Sequence, residues 1–277
     1  MNMPELNFDF ANAAKLMLPV SGPVNLILVG CGGTGSWLAP TVARTARLLV
    51  ETRRRDARVF FVDPDRVESK NVYRQNFCDA EVGQNKALTL GYRFGMAWGV
   101  PVTAVQEQFV KIMTDNYLTI VIGCVDNAAA RRSIQEAVSG RRIWWLDCGN
   151  AKANGQVLLG CGATCPNDPF ELPGFCSWLP MPTIRHPELL EPLPDENANA
   201  APMSCAEMAL VDSQGLAINQ AVATIAGDYL LRMLLTQDLR RWATYINLES
   251  ATMRSEYIVP GKMAAATASV SVETFTV

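Results

Sequence analysis

A short apolar run, Asn25 to Val29 (NLILV), leads into a glycine-rich turn. A stretch from Trp37 to Val50 follows, with apolar residues at helical spacing. A continuous apolar run of this length suits a strand buried on both faces of a parallel sheet, so the segment reads strand, turn, helix. The same pattern predicts strands at Arg58 to Val62, at Thr119 to Cys124, and one finishing over Gly155 to Gly160. Helices are expected from Lys86 to near Trp98, over Ala128 to Val138, and over Gln214 to Thr236. Between them, Cys161 to Pro202 is irregular, proline-rich and acidic near its end. Such a long crossover or lid is uncommon in compact domains and often functional. Tyr245 to Leu248 and Glu256 to Val259 suit closing antiparallel strands, and the tail from Ala264 is strand-capable but ambiguous. The expected architecture is α/β: a mostly parallel sheet flanked by helices, with an irregular crossover loop and C-terminal antiparallel strands. One unit is expected, with a core over 24–150, the crossover over 151–205 and a closing part over 206–277. No internal repeat is visible.

The turn after the first strand is GCGGTGS. Gly30, Gly32 and Gly35 fit the spacing of the dinucleotide fingerprint, with Gly33 beside them. There glycines permit a tight turn and close backbone approach to phosphate, while the helix N-terminus offers N–H groups and positive dipole. The sheet is therefore expected to be Rossmann-like. A plain structural turn is the other reading, and Cys31 within it reads as a packing residue.

The next strand ends at Asp63, where a carboxylate can bond ribose hydroxyls; a turn aspartate before Pro64 is the alternative. Asp65 is a second candidate for the ribose role and could instead cap the following turn. In NVYRQ, a helical turn would place Asn71, Arg74 and Gln75 on one face. Arg74 would then offer a planar fork to phosphate oxygens. Lys86 follows in VGQNK. Arg74 and Lys86 could each be an ordinary surface cation. Asp126 and Asn127 lie past the strand ending at Cys124, where ligands bind in open α/β sheets. Asp126 could equally cap the helix that follows.

These segments, with a late Ser204-Cys205-Ala206-Glu207, resemble the ThiF/MoeB family, the bacterial relatives of ubiquitin-activating enzymes. The resemblance spans roughly 24 to 235, and its nearest branch looks like the ThiF-like proteins of PRTRC gene clusters. It implies an ATP-dependent adenylyltransferase acting on the C-terminal carboxylate of a small ubiquitin-like or sulfur-carrier protein. It implies phosphate contact for Lys86, magnesium at Asp126 with Asn127 assisting, and a homodimer. It also implies an acyl- or sulfur-accepting role for Cys205, whose alternative is a small packing residue at a helix start. An N-terminal arm resembling Arg-Tyr-x-Arg-Gln is missing from residues 1–22. The two Cys-x-x-Cys pairs of zinc-holding relatives are not matched, because no cysteine follows Cys205. Four-thiolate zinc is therefore not expected, although Cys161, Cys165 and Cys176 with a fourth ligand form another candidate site.

Composition narrows the classes. At 277 residues and 49% hydrophobic, the chain can bury a large core, and a net charge of −3 carries no nucleic-acid signature. The basic run Arg53 to Arg55, with Arg58, reads as solvated loop, with a surface for an acidic partner as the alternative. The N-terminus lacks a secretory pattern, and Ala221 to Leu235 is broken by Asp228 and Arg232, so no membrane span is expected. Eight cysteines without a leader suit reduced thiols and a cytoplasmic protein. The single histidine, His186, reads as a surface residue, which disfavours His-dependent hydrolases. Adenylation fits that lack, because a C-terminal carboxylate, with pKa about 3.5, is already an anion and needs no base. A nicotinamide-dependent oxidoreductase would explain the glycine loop and Asp63, but not NVYRQ, Lys86 or Asp126. A non-catalytic scaffold binding nucleotide or partner is the third reading.

Overall fold

The computed structural model describes residues 8–110, 117–192 and 205–271, without the side chains of 205–214 and 266–271. The chain opens with α1 (Asp9–Asn12), β1 (Lys15–Leu16), β2 (Val24–Val29), α2 (Gly33–Arg53) and β3 (Ala57–Val62). It continues through α3 (Lys86–Trp98), β4 (Val102–Val105), β5 (Leu118–Gly123) and α4 (Ala128–Val138). Then come β6 (Ile143–Asn150), β7 (Asn154–Cys161), β8 (Phe175–Cys176) and α5 (Pro182–Arg185). The last part is α6 (Cys205–Leu231) with a wider closing turn over Arg232–Thr236, then β9 (Arg241–Asn247), β10 (Thr252–Tyr257) and α7 (Pro260–Ser271).

Eight strands form one sheet in the order β10-β9-β7-β6-β5-β2-β3-β4. From β4 to β6 all neighbours run parallel; from β6 to β10 all run antiparallel. All six residues of β2 and of β5 are buried, as expected for central strands covered on both faces. Alternate side chains feed two cores. Leu26 and Leu28 pack in the cluster that holds Leu38, Val42, Val222 and Tyr229 of α2 and α6. Ile27, Val29 and Val121 pack in the other, with Ile134 of α4 and Trp145. The chain leaves β2 toward β3 on one side and returns to β5 on the other. That reversal of strand order opens a crevice beyond the carboxyl ends of β2, β3 and β5.

The Rossmann-like sheet and its antiparallel closure match the expectation. The closing strands lie a few residues earlier than their apolar content predicted, and β4 and β6 had not been expected at all. The tail from Ala264, which the pattern left strand-capable, is helical in α7 as far as Ser271, and the rest lies outside the described residues. Pro260 suits a helix N-terminus, and the alanines after it are the best helix formers. Of the crossover, 193–204 lies outside the described residues.

Arg55 departs from the solvated reading of its basic run. It is buried, and its guanidinium donates to the carbonyls of Gly22, Pro19 and Ser21 at 2.7, 2.9 and 3.3 Å. One cation thus ties the turn before β2 to the turn before β3. His186 is also more than a surface residue: its ring nitrogens sit 2.8 Å from both Glu188 and the Tyr245 hydroxyl, tethering the crossover to β9. Cys161 and Cys176 are core residues and Cys165 is exposed. Among the described residues no group of three His, Cys, Asp or Glu side chains could hold a metal ion.

Candidate nucleotide site

The glycine loop rests directly on the end of β5. Gly30 adopts φ +85°, and a Cβ there would meet the Cys124 carbonyl oxygen at 2.5 Å. A Cβ on Gly35 would meet the Gly30 carbonyl oxygen at 1.8 Å, so α2 approaches the strand end more closely than any side chain allows. α2 starts at Gly33, and its first N–H groups have no intrahelical partner.

Asp63 is buried, and both its oxygens accept backbone N–H groups: Cys31 at 2.6 Å and Asp65 at 2.8 Å. The ribose and turn readings therefore do not compete. The carboxylate braces the loop and keeps further lone pairs for a ligand hydroxyl. Burial raises its pKa above the usual carboxylate value, against the pull of those two N–H groups and of Lys86. Burial pushes the Cys31 thiol well up, with the Asp63 charge adding to the rise, so packing rather than reactivity fits this cysteine.

Asn85 caps α3 by accepting from the Leu88 N–H at 2.9 Å, and it donates to the carbonyls of Asp63 and Asp65 at 2.8 and 3.0 Å. Lys86, the next residue, is thereby held against the end of β3. Its side chain is 8% exposed, and its ammonium lies 3.1 Å from Asp65, which is 65% exposed. Asp65 is thus the partner of Lys86 rather than a simple turn cap.

NVYRQ is one tight turn rather than a regular helix. A 3-10 turn over Ser69–Asn71 runs on through Arg74 and Gln75 N–H bonds to the Asn71 carbonyl. Asn71 is buried and closes the turn by accepting the Glu68 N–H at 2.9 Å. Gln75 is buried beside the loop, its amide nitrogen 3.7 Å from where a Gly32 Cβ would start, and its Oε1 has no hydrogen-bond partner among the described residues. The turn is fastened to α2 through a proline. Pro40 lacks the N–H that would bond the Ser36 carbonyl, and Asn76 donates to that carbonyl at 3.2 Å instead. The Asn76 N–H also donates to the Ser36 hydroxyl at 2.9 Å, and the Trp37 indole donates to the Arg74 carbonyl at 3.3 Å.

Asp126 is exposed beyond β5. It is not the cap of α4. Asn127 is, accepting the Ala130 N–H at 2.9 Å while donating to Asp126 at 3.2 Å. Behind it, Arg131 of α4 pairs with the fully buried Asp147 of β6 at 3.3 Å and donates to the Val125 carbonyl at 3.1 Å. Burial raises the Asp147 pKa, against the Arg131 charge. This pair braces the segment that carries Asp126. Cys205 opens α6, and its side chain lies outside the described residues.

The glycine loop, Asp63, Lys86 and the Asn71–Gln75 turn are thus gathered by direct contacts, with Asp126 on the neighbouring strand end. Sequence reasoning missed Asn76, Asn85, Arg131 and Asp147, and also the cluster of Thr34, Asn150 and Asn219 at the start of α2. A proline inside the predicted helix was a signal for Asn76; the cluster had none, since its members are 116 and 185 positions from Thr34.

No curated protein matches the sequence. Among solved structures, PaaA superposes with a TM-score of 0.53 at 15% identity, covering 85% of this chain and 64% of PaaA. Escherichia coli MccB superposes at 0.48 and 14% identity in its succinimide form (85% and 65% covered). Its ATP form gives 0.48 and 15% (85% and 64% covered). The chain therefore spans just under two thirds of the length of these neighbours, and at such identity the likeness to PaaA is one of fold. A model of the ThiF family matches residues 23–258, from the strand before the glycine loop to the end of the sheet, and the chain belongs to that family.

Proposed function

We propose that this chain is an ATP-dependent adenylyltransferase that activates the C-terminal carboxylate of a small ubiquitin-like or sulfur-carrier protein. The observation that carries the reading is the placement of Lys86. A buried ammonium is held at a strand end beside a glycine loop, by a helix cap that also binds the Asp63 and Asp65 carbonyls. The crevice residues suit ATP. Backbone N–H groups of α2 would face an anion, Asp63 retains lone pairs for ribose, and the Gln75 Oε1 has no partner among the described residues. Arg74 and Lys86 would hold phosphate oxygens, with Asn71 and Gln75 shaping the turn. Asp126, with Asn127, would hold magnesium, a hard cation that keeps water and phosphate in its shell.

The partner's carboxylate attacks the α-phosphate and pyrophosphate leaves, giving an acyl-adenylate. Positioning and neutralised charge supply the acceleration, and no base is required. In a second step the Cys205 thiolate takes the acyl group and releases AMP. Residues 24–150 form the nucleotide-binding core of this unit, followed by the crossover over 151–205 and the closing part over 206–277. The test is ATP-dependent pyrophosphate exchange with a candidate partner, in wild type and Cys205→Ala. Exchange in both, with a thiol-reducible adduct only in wild type, is expected. No exchange with any partner overturns adenylation; an adduct persisting in the variant overturns transfer alone.

The protein is further proposed to be a homodimer in the cytoplasm. The helix predicted over Gln214 to Thr236 does not supply the interface, because its apolar side buries Ile218, Val222 and Leu230 within the protomer. Support comes instead from α3, where Leu88, Tyr92 and Met96 are exposed at four-residue intervals with no charge among them. Sedimentation at micromolar concentration is expected to give about twice the 30.3 kDa of one chain; a monomer alone refutes the dimer.

A further inference from the structure

We infer that Asn219 of α6 is a phosphate-contacting residue of the nucleotide site, an amide donor set beside the N-terminus of α2. The inference rests on the ATP-binding part of the function proposed above and adds a ligand contact from the far end of the chain.

Asn219 is 5% exposed. Its Oδ1 lies 3.2 Å from the Thr34 hydroxyl and accepts the Asn150 amide at 3.1 Å, while Asn150 Oδ1 lies 3.2 Å from the same hydroxyl. The triad fixes which way the amide faces: oxygen toward β6 and Thr34, nitrogen away from them. That nitrogen has no hydrogen-bond partner among the described residues. It sits 2.9 Å from the point where a Cβ on Gly33 would begin, with Oδ1 at 2.6 Å from the same point. A helical Cβ tilts toward the helix N-terminus. The amide therefore stands at the open end of α2, in space that only a glycine at 33 leaves free. Backbone donors without intrahelical acceptors and the amide nitrogen of a largely buried side chain, without an acceptor among the described residues, meet there. An acceptor-rich anion satisfies both sets, and the phosphate chain of a nucleoside triphosphate is the ligand of that chemistry suited to this crevice.

The experiment is calorimetric titration of the full chain with ATP and, as a phosphate-free probe, adenosine, in wild type, Asn219→Asp and Asn219→Ala. Aspartate keeps the acceptor that Thr34 and Asn150 use, but puts an anionic oxygen where the donor was. ATP affinity is expected to fall about tenfold in Asn219→Ala, as for one lost bond to a charged group, and at least about a hundredfold in Asn219→Asp. Adenosine affinity should stay within about threefold, because the altered group faces phosphate, not base or ribose. Unchanged ATP affinity in both variants, or equal losses for ATP and adenosine, overturns the contact and leaves ATP binding by the wild type standing. A wild-type chain that binds no ATP overturns both. If Asn219→Asp fails to fold, Asn219→Ala gives the same ATP-against-adenosine contrast.

Discussion

In Lys86→Ala, ATP-dependent pyrophosphate exchange is expected to fall at least about ten- to hundredfold, with thermal unfolding close to wild type. Charge-assisted hydrogen bonds contribute about 1.5–3 kcal/mol, and a phosphate contact that strengthens as pyrophosphate leaves acts on the rate directly. The fold should survive because of what the lysine leaves behind. Its partner Asp65 is 65% exposed and stays solvated when the ammonium goes. The Asn85 cap and the strand-end carbonyls it binds do not involve the lysine side chain. Arg74→Ala belongs to the same test, since the turn that presents it is fastened through backbone, Asn71 and Asn76. Wild-type exchange in both variants, measured with the same partner, would refute the phosphate roles.

Gly35→Ala is expected to be the most damaging single methyl group in the loop. The added carbon would lie 1.8 Å from the Gly30 carbonyl oxygen and 3.3 Å from the Cys124 side chain. Relief requires backbone movement, because Gly30 is itself pressed against the Cys124 carbonyl. Overpacking of a tight core costs about 1–3 kcal/mol and sometimes more, and a backbone clash belongs at the upper end. The melting temperature should therefore fall by about 5–10 °C, and ATP affinity should be lost even where the chain stays folded. Gly261→Ala is the control: nothing lies within 4 Å of its new carbon, at a helix start. Equal melting temperatures for the two variants would contradict the packing argument.

Sequence alone determined the parts of this protein whose causes are local. An apolar run, a turn that only glycine can make and an apolar-periodic stretch specify strand, loop and helix wherever they occur. That local grammar located Gly30, Gly32, Gly33, Gly35 and Asp63 before any coordinates, while Lys86 was singled out by family resemblance. It also set the parallel half of the sheet, since strands alternating with helices have few other ways to pack. Local pattern failed where the cause lay far along the chain. The short strand Val102–Val105 is only half-buried and lacks the unbroken apolar run that marked β2 and β5. Arg55 looked like one of several solvated arginines until three distant carbonyls surrounded it. Asp126 was the cap that the sequence offered for α4 until geometry gave that place to Asn127. Nothing near Asn219, Asn150 or Asp147 in the sequence announces the loop they support. Their roles exist only because α6 lies along α2 and β6 lies beside β5. Burial removes competing water there, so polar groups remote in sequence must satisfy one another, and only the assembled tertiary structure decides which of them meet.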